Sequence, residues 1–333
     1  MSEDLPRLRR DPNPSVRSGR RALIGVAVFF VLLVGFVLTL VFTIGVHNSG
    51  VRLPRAQSSP TATPTAPGGS VPPFFAIDAK TGADTYVTSG WTYRSQRHHQ
   101  RAAAIGVTPD GRTAYFAVPA PGCRTTVYAM HAGHAITTTR VGIIDGSEVY
   151  TTLKVSPDGS QLAMVMTARL HGQSRCASLA SIFVFDVNKR TSTFVTNVAP
   201  GEAVSLAWES NDRLAGLAGG QVVEHTVGCG SCAPQLLGTA GHAATLLSWK
   251  GSLAVVVDGA LRRFGPAGLG ATLGTGLPSY VANASVDPTG TKLVLWGGVQ
   301  TVGEPGNVSY YTTYIWSGGR TTLIPGEWIS PAA

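Results

Sequence analysis

The sequence predicts an all-β fold assembled from repeats of one strand–turn–strand unit. Three apolar runs enter the same kind of turn, at Val107–Gly111 (VTPDG), Val155–Gly159 (VSPDG) and Val286–Gly290 (VDPTG), and each turn leads at once into a second apolar run. Charged residues make up only 13% of the chain and glycine is frequent, with 40 residues. This composition is typical of many short strands joined by tight turns.

The recurring turn has a physical explanation. Proline fixes φ for the second position of a type I turn, aspartate favours the third position, and glycine accepts the left-handed conformation that follows. We therefore predict a structural role for the turn residues Pro109, Asp110, Gly111, Pro157, Asp158, Gly159, Pro288 and Gly290. Turn chemistry already explains both aspartates in this set, and Asp287 precedes its proline, so we do not interpret them as a calcium-binding series.

Weaker copies of the unit fill the gap between the second and third clear turns. If Pro109, Pro157, Ser210, Gly251 and Pro288 are equivalent points, the intervals are 48, 53, 41 and 37 residues. Four-stranded propeller blades repeat at roughly 40–50 residues. The spacing therefore predicts a β-propeller of about six four-stranded blades, with five blades plus a split or partial blade as the alternative.

The two ends of the repeat region are predicted to complement each other. Phe74–Asp78, followed by Lys80–Gly82, reads as the last two strands of a blade whose first strands are missing. The tail, Glu327–Pro331, resembles the start of another unit and can pair with this half-blade, which would close the ring and remove exposed strand edges. The predicted units are 74–98, 99–145, 146–199, 200–240, 241–277 and 278–326.

The Pro-Asp-Gly turn after an apolar strand, with Trp or Val shortly before it, resembles the WD40-like repeats of TolB-type β-propellers. The resemblance covers about 260 residues and is clear in three repeats. The Gly-His and Trp-Asp dipeptides of true WD40 blades are not in register here, which favours the TolB-like group. The resemblance implies a propeller used as a binding platform, and it carries over no catalytic residues.

The region before the repeats predicts a membrane anchor. Residues 22–46 form an uncharged apolar run, long enough for a helix that crosses the bilayer, and six arginines in residues 1–21 place that basic tail in the cytoplasm. A cleaved signal peptide is the alternative, but the apolar run is longer than such peptides use and no small-x-small cleavage site follows it. Residues 47–73 are rich in proline, threonine and serine and predict an extracytoplasmic stalk before the 74–333 domain.

The position of the charges argues against nucleic acid as a partner. The net charge is +8, but residues 74–333 carry 18 basic and 15 acidic side chains. A stripe able to neutralise many phosphates is therefore not expected on the folded domain. The chain has 21 arginines and five lysines, a bias that favours high-GC coding such as that of actinobacteria.

The four cysteines belong to a compartment in which disulfides persist. Cys123 and Cys176 both follow the second strand of adjacent units, so we predict that they pair. Cys229 and Cys232 would then form a tight local bridge. Their Cys-Gly-Ser-Cys stretch lies in a glycine-rich loop of a β pattern, where neither a thioredoxin-type nor a papain-type nucleophile is expected.

No catalytic, metal or cofactor site is predicted. The histidines cluster only as His98-His99 and His131-Ala-Gly-His134, and two ligands do not complete a zinc site. Nucleophile-elbow, metalloprotease and phosphate-loop motifs are missing from the sequence.

These observations favour a single-pass, extracytoplasmic β-propeller that binds a protein, peptide or envelope glycan and contacts the bilayer through residues 22–46. The alternative is a cell-envelope hydrolase or lyase whose acids lie on loops of separate blades. The loop-proximal carboxylates that would serve it are Asp145, Glu148, Glu202, Glu224 and Glu304.

Overall fold

The computed structural model describes most of the repeat region. Residues Ala66–Ala333 form one compact unit. The described residues are 72–78, 81–87, 93–96, 102–132, 137–169, 176–199, 204–230, 232–241, 245–300, 308–324 and 328–333. The predicted basic tail and membrane span lie outside them, as does nearly all of the predicted stalk. Within the described part of the chain, no helix is long and apolar enough to cross a membrane.

The described residues form 24 strands in six four-stranded antiparallel sheets, which are the blades of a β-propeller. Five blades follow the chain order from their first strand to their fourth, and one blade joins the two ends of the repeat region. The predicted all-β propeller of six four-stranded blades is therefore confirmed.

Blades 1 to 3 take the first half of the repeat region. Blade 1 contains β4 (Ala104–Val107), β5 (Thr113–Ala120), β6 (Arg124–His131) and β7 (Thr137–Ile144). Blade 2 contains β8 (Gly146–Val155), β9 (Gln161–Arg169), β10 (Cys176–Asp186) and β11 (Thr191–Asn197). Blade 3 contains β12 (Val204–Trp208), β13 (Arg213–Ala218), β14 (Gln221–Thr226) and β15 (Gln235–Thr239).

Blades 4 to 6 complete the ring. Blade 4 contains β16 (Thr245–Trp249), β17 (Ser252–Val257), β18 (Ala260–Gly265) and β19 (Gly268–Thr275). Blade 5 contains β20 (Tyr280–Val286), β21 (Lys292–Gln300), β22 (Val308–Ser317) and β23 (Arg320–Leu323). Blade 6 contains β24 (Trp328–Ala332), β1 (Phe74–Asp78), β2 (Asp84–Val87) and β3 (Tyr93–Gln96), in that order across the sheet.

The first strands of the blades surround a central channel. Each of them contacts the first strand of the next blade, in the circular order β4, β8, β12, β16, β20, β24 and back to β4. The first strands are therefore innermost and the fourth strands lie at the periphery. Each first strand is the inner edge strand of its sheet, so the channel is lined by six short edges that neighbouring blades protect.

Blade 6 closes the ring by pairing the two ends of the repeat region. Phe75 pairs with Ala332, and Ile77 pairs with Ile329. Trp328 is buried and contacts Phe74 edge to face, with ring centroids 6.2 Å apart. The predicted closure by the C-terminal tail is confirmed.

The assignment of Phe74–Asp78 to the end of a blade is wrong in detail. This segment is the second strand of blade 6, and β2 and β3 follow it as the third and fourth strands. Its first four residues are all buried, and other second strands also contain four or five consecutive buried residues, because a second strand is covered by neighbouring blades on both faces. Third strands such as Arg124–His131 instead alternate between buried and partly exposed residues.

Apolar side chains from neighbouring blades form the core between the sheets. One cluster joins Tyr115 of blade 1 to Met164 and Phe185 of blade 2. Two tryptophans also link blades through their indole N–H groups. Trp208 donates to Lys154 O at 3.0 Å, and Trp316 donates to Thr275 O at 2.8 Å. Both tryptophans therefore pack between neighbouring blades.

Candidate binding site at the channel mouth

A cavity of about 430 Å³ opens at one end of the central channel. All six first strands contribute their C-terminal residues to its wall, and the turns between first and second strands form its rim. We call this end of the propeller the turn face. The apolar part of the wall includes Ile105, Val107, Leu153, Val155, Leu206, Trp208, Leu247 and Val286.

The recurring turns supply prolines to this rim. Pro109, Pro157 and Pro288 all line the cavity. Blades 1 and 5 are separated by blade 6, which has no turn of this kind, and their turns approach each other directly. A Cβ atom at Gly111 would lie 2.5 Å from Pro288 Cγ.

Two of the turns are held closed by their aspartates. Gly111 N donates to Thr108 O at 2.8 Å, and the Thr108 hydroxyl donates to Asp110 Oδ1 at 2.6 Å. Ser156 donates to Asp158 Oδ1 in the same way, also at 2.6 Å. These hydroxyl donors are the main cause that lowers the pKa of Asp110 and of Asp158, and backbone N–H donors add to the effect. Each carboxylate is therefore used inside its own turn.

Asp287 also closes its turn, although it stands two positions earlier than Asp110 and Asp158 in the repeated motif. Its Oδ1 accepts from Lys292 N at 2.6 Å and from Thr291 N at 2.9 Å, while Thr289 donates to Oδ2. The side chain is buried, with 5% of its surface exposed. This carboxylate lines the cavity, but its oxygen atoms are already engaged by the turn.

Lys154 reaches across the channel. It lies on β8 of blade 2, and its Nζ donates to Asn283 Oδ1 at 2.8 Å and to Ala284 O at 2.9 Å, both on β20 of blade 5. The ammonium group is enclosed by the channel wall, although part of the side chain still faces the cavity. This burial lowers the pKa of Lys154 to about 8, because the charged form loses hydration.

Glu209 belongs to a separate charged cluster beside the rim. Arg213 Nη1 lies 3.6 Å from Glu209 Oε2 and 3.7 Å from Glu224 Oε2. Hydrogen bonding with Glu224 raises the pKa of Glu209, and partial burial and the charge of Glu224 act in the same direction. Glu209 lines the cavity, whereas Glu224 is buried in blade 3.

Of the carboxylates named from the sequence, the two whose side chains are described do not line this cavity. Asp145 forms an ion pair with Arg124 at 3.3 Å, in the connection between blades 1 and 2, and Glu224 lies in the cluster with Arg213. Glu202 and Glu304 lie outside the described residues, and Glu148 lies on β8 in a stretch whose side chains are not described. The carboxylates on the described cavity wall are Glu209 and Asp287.

The histidines named from the sequence give no metal arrangement within the described chain. His131 Nδ1 is 3.0 Å from the Thr113 hydroxyl on an exposed surface. His98, His99 and His134 lie outside the described residues. Among the described residues, no group of three His, Cys, Asp or Glu side chains is placed to hold a metal ion.

Both predicted disulfides are present. Cys123–Cys176 joins the loop after β5 of blade 1 to the start of β10 of blade 2. Cys229–Cys232 closes a short loop between β14 and β15. No described cysteine is free.

The residues that sequence reasoning missed are Lys154 and Asn283. A signal for both was present, because each is a polar residue inside the apolar first strand of a repeat, just before a Pro-containing turn. A first strand lines the channel, so a polar side chain there faces either the channel or a neighbouring blade.

The structure defines the class of protein as a six-bladed β-propeller, a fold that it shares with TolB. It is similar to TolB from Acinetobacter baumannii, with a TM-score of 0.52 and 16% identity over 78% of this chain and 65% of that one. It is also similar to a protein described as TolB from Agrobacterium tumefaciens, with a TM-score of 0.49 and 13% identity over 75% of this chain and 87% of that one.

A luciferin-regenerating enzyme also matches, with a TM-score of 0.49 and 12% identity over 76% of this chain and 90% of that one. At these identities the likeness shows the fold alone. The chain spans 65% of the length of the Acinetobacter TolB that it matches. No family model matches the sequence, and no curated protein does so either.

Proposed function

We propose that this protein is a single-pass, membrane-anchored, extracytoplasmic propeller that binds a protein, peptide or envelope glycan at the mouth of its channel. The cavity of about 430 Å³ at the turn face is the observation that carries the proposal. Its size lies in the range of ligand sites, and its wall combines apolar side chains with a few polar groups.

The shape of the fold supports a binding role for this face. Six first strands end around one cavity, so a ligand seated there would touch several blades at once. The turns that form its rim are fixed by internal hydrogen bonds, such as those to Asp110 and Asp158. A rim that is already ordered loses little conformational entropy when a ligand binds.

The membrane part of the proposal rests on the sequence. Residues 22–46 carry no charge and follow six arginines, which is the pattern of a single span with a cytoplasmic N-terminus. The two disulfides fit an oxidising compartment outside the cytoplasm.

Photo-crosslinking in native membranes tests the site. A photoreactive residue placed at Lys250, which is exposed on the cavity rim, should form a discrete crosslinked product. The matched control places the same group at Thr272, which is exposed on the fourth strand of blade 4. Equal crosslinking from both positions, or none from Lys250, would reject the channel mouth as the binding site.

A second candidate function is hydrolysis or elimination on an envelope substrate. The observation that favours it is the position of Glu209 on the cavity wall. The neighbouring Glu224 raises the pKa of Glu209, and a general acid requires a raised pKa. The shared contact with Arg213 favours a structural role for the pair. Turnover of envelope glycan or peptide that is lost in Glu209→Gln would support the enzyme.

A further inference from the structure

The channel mouth contains a half-buried lysine whose charge no described carboxylate balances. The cations on the described cavity wall are Lys154 and Lys250. Lys250 is exposed to solvent, whereas the ammonium group of Lys154 is enclosed by the channel wall. The two groups that accept hydrogen bonds from Lys154 are an amide oxygen and a backbone carbonyl, and both are neutral.

The carboxylates on the described cavity wall interact with groups other than Lys154. Among the described residues, no carboxylate oxygen lies within 4.0 Å of Lys154 Nζ. Asp287 is taken up by the backbone N–H groups and the hydroxyl of its own turn, and Glu209 pairs with Arg213. Enclosing a charge without an opposite charge is unfavourable, so a position of this kind favours an anion supplied from outside.

Lys154 and Asn283 also have N–H donors that form no hydrogen bond with a described residue. An ammonium group has three N–H donors, and Lys154 uses two of them within the described structure. Asn283 accepts from Lys154 through Oδ1, and its Nδ2 group donates to no described residue. Lys154 and Asn283 both line the cavity, so the remaining donors of one cation and one amide lie side by side.

We propose that the channel mouth binds a carboxylate, held by Lys154 Nζ and Asn283 Nδ2. The inference rests on the proposed function, because it takes the channel mouth as the ligand site. A singly charged carboxylate fits better than a phosphate, since one enclosed cation faces it and Glu209 and Asp287 make the rest of the wall unfavourable for a second negative charge.

The wall also defines what carries the carboxylate. Apolar side chains from several blades surround the position, including Leu153, Leu206 and Leu247. The ligand is therefore a carboxylate on an apolar stem. Two sources share this chemistry: the C-terminus of an apolar peptide and a small aliphatic acid.

Calorimetric titration of the full chain in detergent tests the proposal. The probes are acetyl-Ala-Ala-Leu with a free carboxylate, the same peptide as its C-terminal amide, and 3-methylbutanoate. We expect the acid peptide to bind at least about tenfold more tightly than the amide, as for a charge-assisted hydrogen bond in an enclosed site. Binding of 3-methylbutanoate with equal affinity would assign a small acid, and weaker binding would assign a peptide end.

Lysine variants locate the effect. Lys154→Met should weaken binding of the acid peptide by about tenfold or more, and Lys154→Arg should retain part of it. Lys189→Met, at an exposed lysine that does not line the cavity, is the matched control and should stay within about twofold. If Lys154→Met does not fold, the acid and amide probes on the unaltered chain still decide the question.

Several results would overturn the carboxylate site. They are equal affinity of the acid and the amide, unchanged binding by a folded Lys154→Met chain, and failure of all carboxylate probes to bind. If any of these results is obtained while crosslinking from Lys250 persists, the proposed function stands. Lys154 then has only a structural role, as a hydrogen-bond donor from blade 2 to blade 5.

Discussion

The disulfide between blades 1 and 2 is predicted to contribute more stability than the local one. The perturbation is the double substitution of Cys123 and Cys176 by alanine. This bridge closes a loop with a sequence separation of 53, whereas Cys229–Cys232 has a separation of 3. If disulfides act by restricting the unfolded chain, the longer loop contributes roughly 4 kcal/mol and the shorter one roughly 2 kcal/mol.

These free energies convert to melting temperatures that calorimetry resolves. For a domain of this size, 1 kcal/mol corresponds to about 2 °C or somewhat more. Loss of the bridge between blades should therefore lower Tm by roughly 8 °C, and loss of the local bridge by roughly 4 °C. The assay is differential scanning calorimetry of the full chain in detergent, with both variants and the wild type at one scan rate.

The order of the two effects is the informative result. Equal decreases in Tm, or a larger decrease for the Cys229 and Cys232 pair, would refute the reasoning from loop length. Wild-type protein treated with a reductant is the control, and its Tm should fall below that of either variant, because it lacks both bridges.

Three further predictions concern buried charges and close packing. Burial lowers the pKa of Lys154 from 10.5 to about 8, so its charge destabilises the folded protein fully below pH 8 and no longer does so above pH 10.5. Between these pH values, the free energy of unfolding of wild type should rise by up to roughly 3 kcal/mol relative to Lys154→Met, as measured by denaturant titration. Burial raises the pKa of Asp84 from 3.8 to about 8, because the charged carboxylate is disfavoured in the folded protein. The free energy of unfolding of wild type should therefore fall by several kcal/mol relative to Asp84→Asn as the pH rises from 4 to 8, in the same denaturant titrations. A Cβ atom at Gly274 would overlap the Trp316 ring, whereas one at Gly230 would meet nothing within 4 Å. Gly274→Ala should therefore lower the free energy of unfolding by about 1–3 kcal/mol, and Gly230→Ala should lower it much less. Equal unfolding midpoints for the two variants would contradict the close packing.

The sequence was sufficient to predict the blades because local chemistry determines their turns. Proline, aspartate and glycine each fix one part of the turn, so Val107–Gly111 and Val155–Gly159 mark the ends of first strands without any tertiary information. The weaker copies at Ser210 and Gly251 keep the strand–turn–strand pattern without the proline. Lys250 and Gly251 form a two-residue turn with φ of 49° and 72°, a different solution to the same hairpin.

The order of strands in the split blade was not predicted, because it depends on burial by neighbouring blades. Phe74–Asp78 carries the continuous apolar run of a second strand, but a turn follows it as one follows a third strand. The local signals of the two positions overlap, and only the pairing with Trp328–Ala332 separates them.

The site lay beyond sequence reasoning for a similar reason. Lys154 and Asn283 are separated by 129 positions and meet only because blades 2 and 5 face each other across the channel. Nothing in the local sequence of either residue specifies the other. A candidate site shared by several blades is therefore assembled only when the ring closes.

The pKa of Lys154 in the full chain tests the account of the channel mouth most directly. The chain has five lysines, so an NMR titration of protein labelled with ¹³Cε-lysine gives few signals. The signal that disappears in Lys154→Arg is that of Lys154. We predict a midpoint near 8 in the free protein and a rise towards 10.5 when acetyl-Ala-Ala-Leu binds, because an anion stabilises the ammonium form. An ordinary midpoint near 10.5 that the peptide does not move would contradict the account.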